Sequence, residues 1–286
     1  MVFSLKLPGG VLLGAVALMS TASLLQAQLV PSTVHPFHQP FDRLLDTYVR
    51  DGFVYYNALR IERGALDRYV GSLNSPSAGA LAKGTLDEQK AFWINAYNAL
   101  VLRTVVDHFP IRGRAKEYPT SSIRQIPGAF EKAVHRVAGR TVSLDAIEKE
   151  ILGPLNDPRV FLALGRAAYG GGRLRSEAFD APTIEKLLSV VAAETVSRAE
   201  LVKIDPPEDT ISLSPIFSWR EAAFVEAFAD KADPIFAQRS PLERAVLAII
   251  TPHLSGPEAQ YLPKNTFKMQ FHNFDWRLND LSNRAQ

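Results

Sequence analysis

The sequence predicts an α+β fold, a helix-rich single domain with a small, mostly antiparallel sheet. Clear helix starts outnumber short strand candidates, and the strands lack the regular strand–helix alternation of a doubly wound sheet. With 47% hydrophobic and 22% charged residues, the composition excludes a disordered or collagen-like chain. A chain of 286 residues without an evident repeat or linker can bury one large core.

Local signals place helices and short strands along the chain. Thr85 and Glu88 form a capping box that predicts a helix over residues 86–108, ending before Pro110. Further helices are predicted after Ser143 (144–152), after Asp180 (182–197), after Ser218 with Glu221 (222–228) and after Ser240, where Pro241 takes the first helical position. The predicted strands are residues 160–164, 201–204, 210–213 and 267–271.

Charge and cysteine content exclude several functional classes. The 32 basic and 30 acidic residues give a net charge of +2 without a basic patch, so we expect no nucleic-acid partner. The absence of cysteine excludes disulfides, a thiol nucleophile, thiolate-bound zinc and iron–sulfur clusters. His35 and His38 have a metal-compatible spacing, but Pro36 separates them and no third ligand is suggested. We therefore predict no metal site and no cofactor.

The N-terminus predicts export. Lys6 precedes an apolar run at residues 11–19, and Ala27 ends a stretch suited to cleavage. The run is shorter than the ~20 residues of a membrane helix, although an uncleaved anchor is the alternative. Residues 1–27 are thus predicted to be a signal peptide, and 28–286 a single globular domain in the periplasm or outside the cell. We expect no membrane span after cleavage.

The segment AFWINAYNAL at residues 91–100, continuing to HFP at 108–110, resembles the signature helix of the family named domain of unknown function 547. Residues 139–148, 157–161, 214–219 and 275–280 agree with the family in the same order. Many members carry an Asn-Cys pair, a Cys-Pro pair and a histidine. Here these positions read Gly165-Arg166, Gly171-Gly172 and Lys149. The resemblance raises a papain- or transglutaminase-like arrangement as a fold hypothesis, but a Cys–His mechanism does not carry over.

Two pairs of residues in the predicted central helix have either a structural or a functional role. Asn95 and Asn98 lie three residues apart on one face of an apolar helix. They either make structural hydrogen bonds or contact a ligand in a cleft. Trp93 and Tyr97 are four residues apart, and we expect them in the core rather than in a cleft wall.

The glycine-rich segment 165–175 is the most unusual stretch of sequence. It is not a phosphate-binding loop, because Gly171 and Gly172 stand where Lys and Ser or Thr are required. Arg166, Arg173 and Arg175 either bind a carboxylate or another anion, or pair with acidic neighbours such as Glu148, Glu177 and Asp180. Arg175 is the arginine most expected to bind a ligand, since the family pattern also keeps Leu-Arg there.

Two functional hypotheses follow. The first is a cell-envelope binding or scaffolding domain whose anion-attracting cleft takes a small acidic ligand, a peptide or an envelope component. Trp219 joins the asparagines and arginines as a predicted ligand contact. The second is a hydrolase or transferase without a cysteine nucleophile, in which Glu148 and Asp275 perform acid–base chemistry. That role would require Glu148 and Asp275 to share one cleft, with a raised pKa for Glu148; a C-terminal structural lock is the alternative for Asp275.

Overall fold

The computed structural model describes residues 1–2 and 34–283, in which helices predominate over short strands. The predicted signal-peptide features, namely Lys6, the apolar run 11–19 and the cleavage point at Ala27, lie outside the described residues. Thr33–Gln286 forms one compact unit. Among the described residues, no helix combines the length and the apolar character that crossing a membrane requires.

Helices occur along the whole of this unit. The α-helices are α1 (Gln39–Tyr48), α2 (Tyr56–Ile61), α3 (Gly64–Ser72), α4 (Pro76–Leu81), α5 (Leu86–His108), α6 (Leu144–Ala146), α7 (Arg159–Leu162), α8 (Ile184–Val196), α9 (Ile216–Trp219), α10 (Glu221–Phe228), α11 (Pro241–Ile250) and α12 (Gly256–Tyr261). A π-helix, Ile147–Leu152, continues directly from α6. Short 3-10 turns lie at Ile123–Gln125, Gly153–Leu155, Ala181–Thr183, Ala229–Lys231, Pro234–Phe236, Thr251–His253, Leu262–Lys264 and Leu281–Asn283.

Within residues 34–283, the strands form three small sheets. Two are antiparallel hairpins, β1 (Val49–Arg50) with β2 (Phe53–Val54) and β3 (His135–Val137) with β4 (Arg140–Val142). The third has the order β5 (Val202–Asp205), β6 (Thr210–Leu213) and β7 (Lys268–Phe271). Strand β6 pairs antiparallel with β5 and parallel with β7. The α+β class is confirmed, and the described part of the chain has three small sheets where the sequence predicted one.

Helix α5 is the centre of the core. Glu88 N donates to Thr85 Oγ1 at 3.2 Å and Thr85 N donates to Glu88 Oε2 at 2.7 Å, which is the predicted capping box. Every side chain from residue 91 to residue 102 is buried, as expected for a helix surrounded by other elements. Its predicted bounds, 86–108, are confirmed.

The predicted strand at residues 160–164 is wrong. The chain forms the short helix α7 (Arg159–Leu162), in which Val160 N donates to the carbonyl of Asp157 at 3.1 Å. Residues 160–164 are buried on every side. Because this short run is apolar throughout and does not alternate, its sequence cannot distinguish a buried strand from a buried helix.

Two predicted caps also differ from the structure. Ser218 lies inside α9 and donates to the carbonyl of Pro215 at 2.9 Å, while α10 begins at Glu221 with Arg220 at its N-cap. Asp180 precedes a 3-10 turn, and its Oδ1 accepts the backbone N–H of His35 at 2.9 Å instead of capping the helix. Each side chain thus makes a hydrogen bond that replaces the predicted cap. The cap at Ser240 is confirmed.

Candidate functional site

A cleft of about 400 Å³ opens where the π-helix, the glycine-rich segment, the end of α9 and the C-terminal segment meet. Its lining combines charged and aromatic side chains, namely Arg124, Phe130, Glu131, Asp145, Glu148, Lys149, Arg166, Trp219, Arg220 and Trp276. This lining brings together three of the predicted site residues, Glu148, Arg166 and Trp219.

A buried ion triad forms the floor of the cleft. Arg166 Nη2 donates to Glu148 Oε1 at 2.7 Å, and Arg220 Nη2 donates to the same oxygen at 2.6 Å. The side chains of Glu148 and Arg166 are only 5% and 3% exposed. The triad therefore holds two positive charges against one negative charge, where screening by water is weak.

The electrostatics of the triad keep its members charged. Burial, the largest influence on Glu148, raises the pKa of its carboxyl, but the charges of Arg166 and Arg220 and their hydrogen bonds outweigh it and leave that pKa below its ordinary value. Burial lowers the pKa of Arg166, yet Glu148 more than compensates, and the pKa ends above its ordinary value. A raised pKa for Glu148, which a general acid would need near neutral pH, is not found.

Helix geometry places Glu148 in the triad. Ser143 Oγ accepts the N–H of Ala146 at 3.1 Å and begins α6, as the sequence predicted. The helix then widens into the π-helix Ile147–Leu152, which contains Glu148. Segments of π-helix are rare and often occur at functional sites, and this one packs against α5.

The two asparagines of α5 hold neighbouring segments against the helix. Asn98 Oδ1 accepts the N–H of Gly165 at 2.9 Å, and Asn98 Nδ2 donates to the carbonyl of Ala163 at 3.3 Å. This fixes the turn that carries Arg166. Asn95 makes the same pair of bonds with the backbone of Phe179, at 2.8 and 2.9 Å. Both amides are buried and position other residues, which is the structural interpretation.

Aromatic rings form one wall of the cleft. The rings of Trp219 and Trp276 are stacked, with centroids 6.3 Å apart and planes 20° apart. Phe274 lies 4.3 Å from Trp276 and 5.0 Å from Trp219. The guanidinium of Arg124 lies 4.6 Å from the ring centres of both Phe130 and Trp276. This cation is held over aromatic faces at the edge of the wall.

Several buried donors at or near the cleft lack a hydrogen-bond partner within the described residues. They are Nε of Arg124, Nε of Arg220 and the hydroxyl of Tyr97. Tyr97 is completely buried, and burial, followed by the charge of Glu148, raises the pKa of its phenol above the ordinary value. Buried donors without a partner are unusual in proteins. The cleft thus has N–H and O–H groups to offer an acceptor.

Arg173 and Arg175 do not line this cleft. Arg173 Nη1 lies 2.5 Å from Glu194 and Arg173 Nε lies 3.4 Å from Asp51. Arg175 pairs with Glu177 and, at 3.1 Å, with Glu194 of α8. These two arginines make the neighbouring ion pairs that the sequence left open as an alternative, and their predicted ligand contact has no support from this geometry.

Asp275 also lies apart from the triad. Its carboxylate pairs with Arg277 at 2.5 Å. Its backbone carbonyl accepts the N–H of Gly170 at 2.9 Å. The next residue, Trp276, is the one that lines the cleft. The segment therefore ties down the glycine-rich region, as the structural-lock alternative supposed, and contributes an indole rather than a carboxylate.

Seven of the ten cleft residues were not predicted as site residues from the sequence, among them Arg220, Trp276 and Arg124. Arg220 directly follows Trp219, and Trp276 stands in the family segment 275–280, so both lay beside residues already chosen. Arg124 had no local signal. Of these three, only Trp276 stands in a segment that resembles the family, and that resemblance assigns it no role.

The histidine pair forms a separate structural site. His38 is buried, and its Nδ1 lies 2.8 Å from the hydroxyl of Tyr69. His35 lines the same small cavity, of about 270 Å³. Within the part of the chain that the structure describes, no three His, Asp or Glu side chains are grouped as metal ligands would be.

Comparison with protein-family models gives a match. Residues 81–194 match the family model described as "Protein of unknown function, DUF547", a segment that includes Glu148 and Arg166, whereas Trp219, Arg220 and Trp276 lie beyond it. No curated protein and no solved structure matches the chain, so the papain-like arrangement stays a prediction. The resemblance read from the sequence is confirmed by this family match over residues 81–194 of the cysteine-free chain.

Proposed function

We propose that the protein is a cell-envelope binding or scaffolding domain whose cleft binds an acidic ligand. The observation that carries the proposal is the buried triad, in which Arg166 and Arg220 share a single oxygen of Glu148. Among the described residues, the two arginines share Glu148 as their one acidic partner, so one positive charge is left over where water screens it weakly. An entering carboxylate would neutralise it.

The rest of the lining does not cancel this excess. Lys149 pairs with Asp145 at 2.5 Å, and Arg124 pairs with Glu131, so these two pairs are neutral. The unpartnered Nε of Arg220 supplies a charge-assisted donor. Because Arg220 is partly open to water, we expect modest affinity that falls as salt rises, at ~1 kcal/mol for each exposed ion pair.

The test is calorimetric titration with citrate and with a triglutamate peptide at low and at physiological salt. Arg220→Gln is expected to weaken binding ~10-fold, since a hydrogen bond to a charged group is lost. Arg166→Ala should also weaken it. Arg175→Gln is the matched control, because it removes an ion-paired arginine outside the cleft, and its affinity should equal that of the wild type.

Two results would contradict the proposal. One is the absence of titratable binding at low salt, and the other is an equal loss in the Arg220 and Arg175 variants. Removing Arg166 leaves Glu148 with one partner and could unfold the domain, so circular dichroism accompanies each titration. If both cleft variants unfold, Arg220→Lys decides, because it keeps the charge and loses the planar donor geometry.

The second hypothesis, a hydrolase or transferase, is less well supported. The lowered pKa of Glu148 favours an anion at neutral pH over a proton donor, and Asp275 pairs with Arg277 instead of joining Glu148. Hydrolysis that persists in iodoacetamide and disappears in Glu148→Gln would favour the enzyme. Binding without turnover would favour the binding domain.

We also propose that residues 1–27 direct export and are removed. The basis is Lys6 followed by the apolar run 11–19. The full chain expressed in a bacterium should yield a periplasmic or secreted product beginning near residue 28, as N-terminal sequencing and intact mass can show. A variant lacking residues 2–27 should stay in the cytoplasm. A secreted product that retains Met1 would contradict cleavage.

A further inference from the structure

The aromatic wall presents a flat apolar face at the mouth of the cleft. Trp219 is 41% exposed, although Phe274 and Trp276 pack beside it at 5.0 and 6.3 Å. An indole held by two other rings loses little conformational freedom when a ligand packs on it. Such a face is matched by a ligand with a flat apolar surface of its own.

Charged groups of both signs surround that face. Arg220 follows Trp219 directly and donates to its carbonyl at 2.8 Å. Asp145 Oδ2 accepts from Lys149, and Glu131 Oε1 accepts from Arg124. Each carboxylate also has a second oxygen, which neither of these two bonds uses. A carboxylate can accept several, so the cleft can accept as well as donate.

These features together describe one class of ligand. A carboxylate matches the excess positive charge at Arg220, hydroxyl groups can donate to Asp145 and Glu131, and a ring with an apolar C–H face can pack on Trp219. An aromatic acid lacks the hydroxyl donors, and an open-chain acid lacks the flat face. We propose that the ligand is an acidic pyranose, a sugar ring that carries a carboxylate; this inference rests on the proposed anion-binding function.

The first experiment compares four probes by calorimetry at low salt. Methyl glucuronoside carries the ring, the charge and the hydroxyls; gluconate keeps the charge and hydroxyls without a ring. Methyl glucoside keeps the ring without the charge, and benzoate keeps a ring and the charge without hydroxyls. Methyl glucuronoside should bind more tightly than each of the other three. The margin over gluconate should be ~5-fold, because gluconate has no ring to pack on Trp219.

The outcomes separate this inference from the proposed function. Equal binding of gluconate and methyl glucuronoside, both tighter than methyl glucoside, would overturn the sugar ring and leave anion binding intact. Tighter binding of benzoate would overturn it in favour of an aromatic acid. If none of the charged probes binds and citrate also fails, the proposed function itself falls, and the ligand class with it.

Substitutions give the second experiment. Trp219→Ala should lower the affinity for methyl glucuronoside ~5-fold and leave that for gluconate unchanged, whereas Arg220→Gln should lower both. Tyr55→Ala is the matched control, because Tyr55 is 45% exposed and lies outside the cleft. An equal effect of Trp219→Ala on both acids, or no effect on either, would overturn the stacking of a sugar on this indole.

Discussion

Replacing Trp93 with alanine is expected to lower the free energy of unfolding by ~3–5 kcal/mol, the range for large aromatic side chains removed from cores. Trp93 is 2% exposed and lies on the fully buried stretch of α5. Its ring packs edge-on against Phe92, with centroids 5.1 Å apart. The surrounding helices cannot close completely over the space that the indole leaves, so contacts as well as burial are lost.

Urea titration followed by circular dichroism measures this effect. The midpoint should fall while the slope with denaturant stays the same, because the surface exposed on unfolding hardly changes. Trp219→Ala is the matched control, since it removes the same side chain from an exposed position and should shift the midpoint far less. An unchanged midpoint for Trp93→Ala would remove Trp93 from the core and contradict the central role of α5.

The elements that the sequence predicted correctly are those with strong local signals. Thr85, Glu88 and Pro110 mark both ends of α5 through hydrogen bonding and backbone geometry that involve only near neighbours. The strands near residues 202 and 210 were also predicted from a local signal, namely a short apolar run with turn residues on either side. Where local chemistry and tertiary packing favour the same structure, the sequence alone is sufficient to predict the element.

The errors have the opposite origin. The run at 160–164 is buried on all sides, and tertiary contacts chose a helix where the residues themselves were ambiguous. Ser218 had the right neighbours for a cap but lies within helix α9, which buries Ile216 and Phe217. The change from α6 to a π-helix at Ile147 has no sequence signal at all.

The candidate site shows the same division. Glu148 and Arg166 were selected because they stand in or beside family positions, and the structure joins them. Arg220, which shares the same carboxylate oxygen, is 72 residues from Glu148, and only the fold brings it there. Arg175 was favoured because the family keeps an arginine, yet it pairs with Glu177 and Glu194. A match to the family pattern therefore does not show whether a residue lines the cleft or makes ion pairs elsewhere.

Acidification below neutral pH is expected to destabilise the protein through His38. Burial, and to a lesser extent the charge of His35, lowers the pKa of His38 from 6.5 to about 3. The unfolded chain takes up a proton near pH 6.5, whereas the folded chain takes it up only near pH 3. The stabilisation is therefore complete above pH 6.5 and is lost progressively as the pH falls toward 3. Between pH 7.5 and 5 the loss should be ~2 kcal/mol.

Urea midpoints measured from pH 7.5 to pH 5 test this expectation, a range that avoids most carboxylate titration. His38→Asn keeps a group that can bond to the Tyr69 hydroxyl and removes the titration, so its stability should depend less on pH than that of the wild type. Tyr69→Phe is the control, because it removes the hydrogen bond and leaves His38 buried; it should be less stable throughout with the original pH dependence. Burial also lowers the pKa values of His135 and His253, but these contributions are common to all three proteins and cancel. Parallel pH profiles for the wild type and His38→Asn would show that His38 is not the titrating group, and the pH dependence would then belong to other histidines.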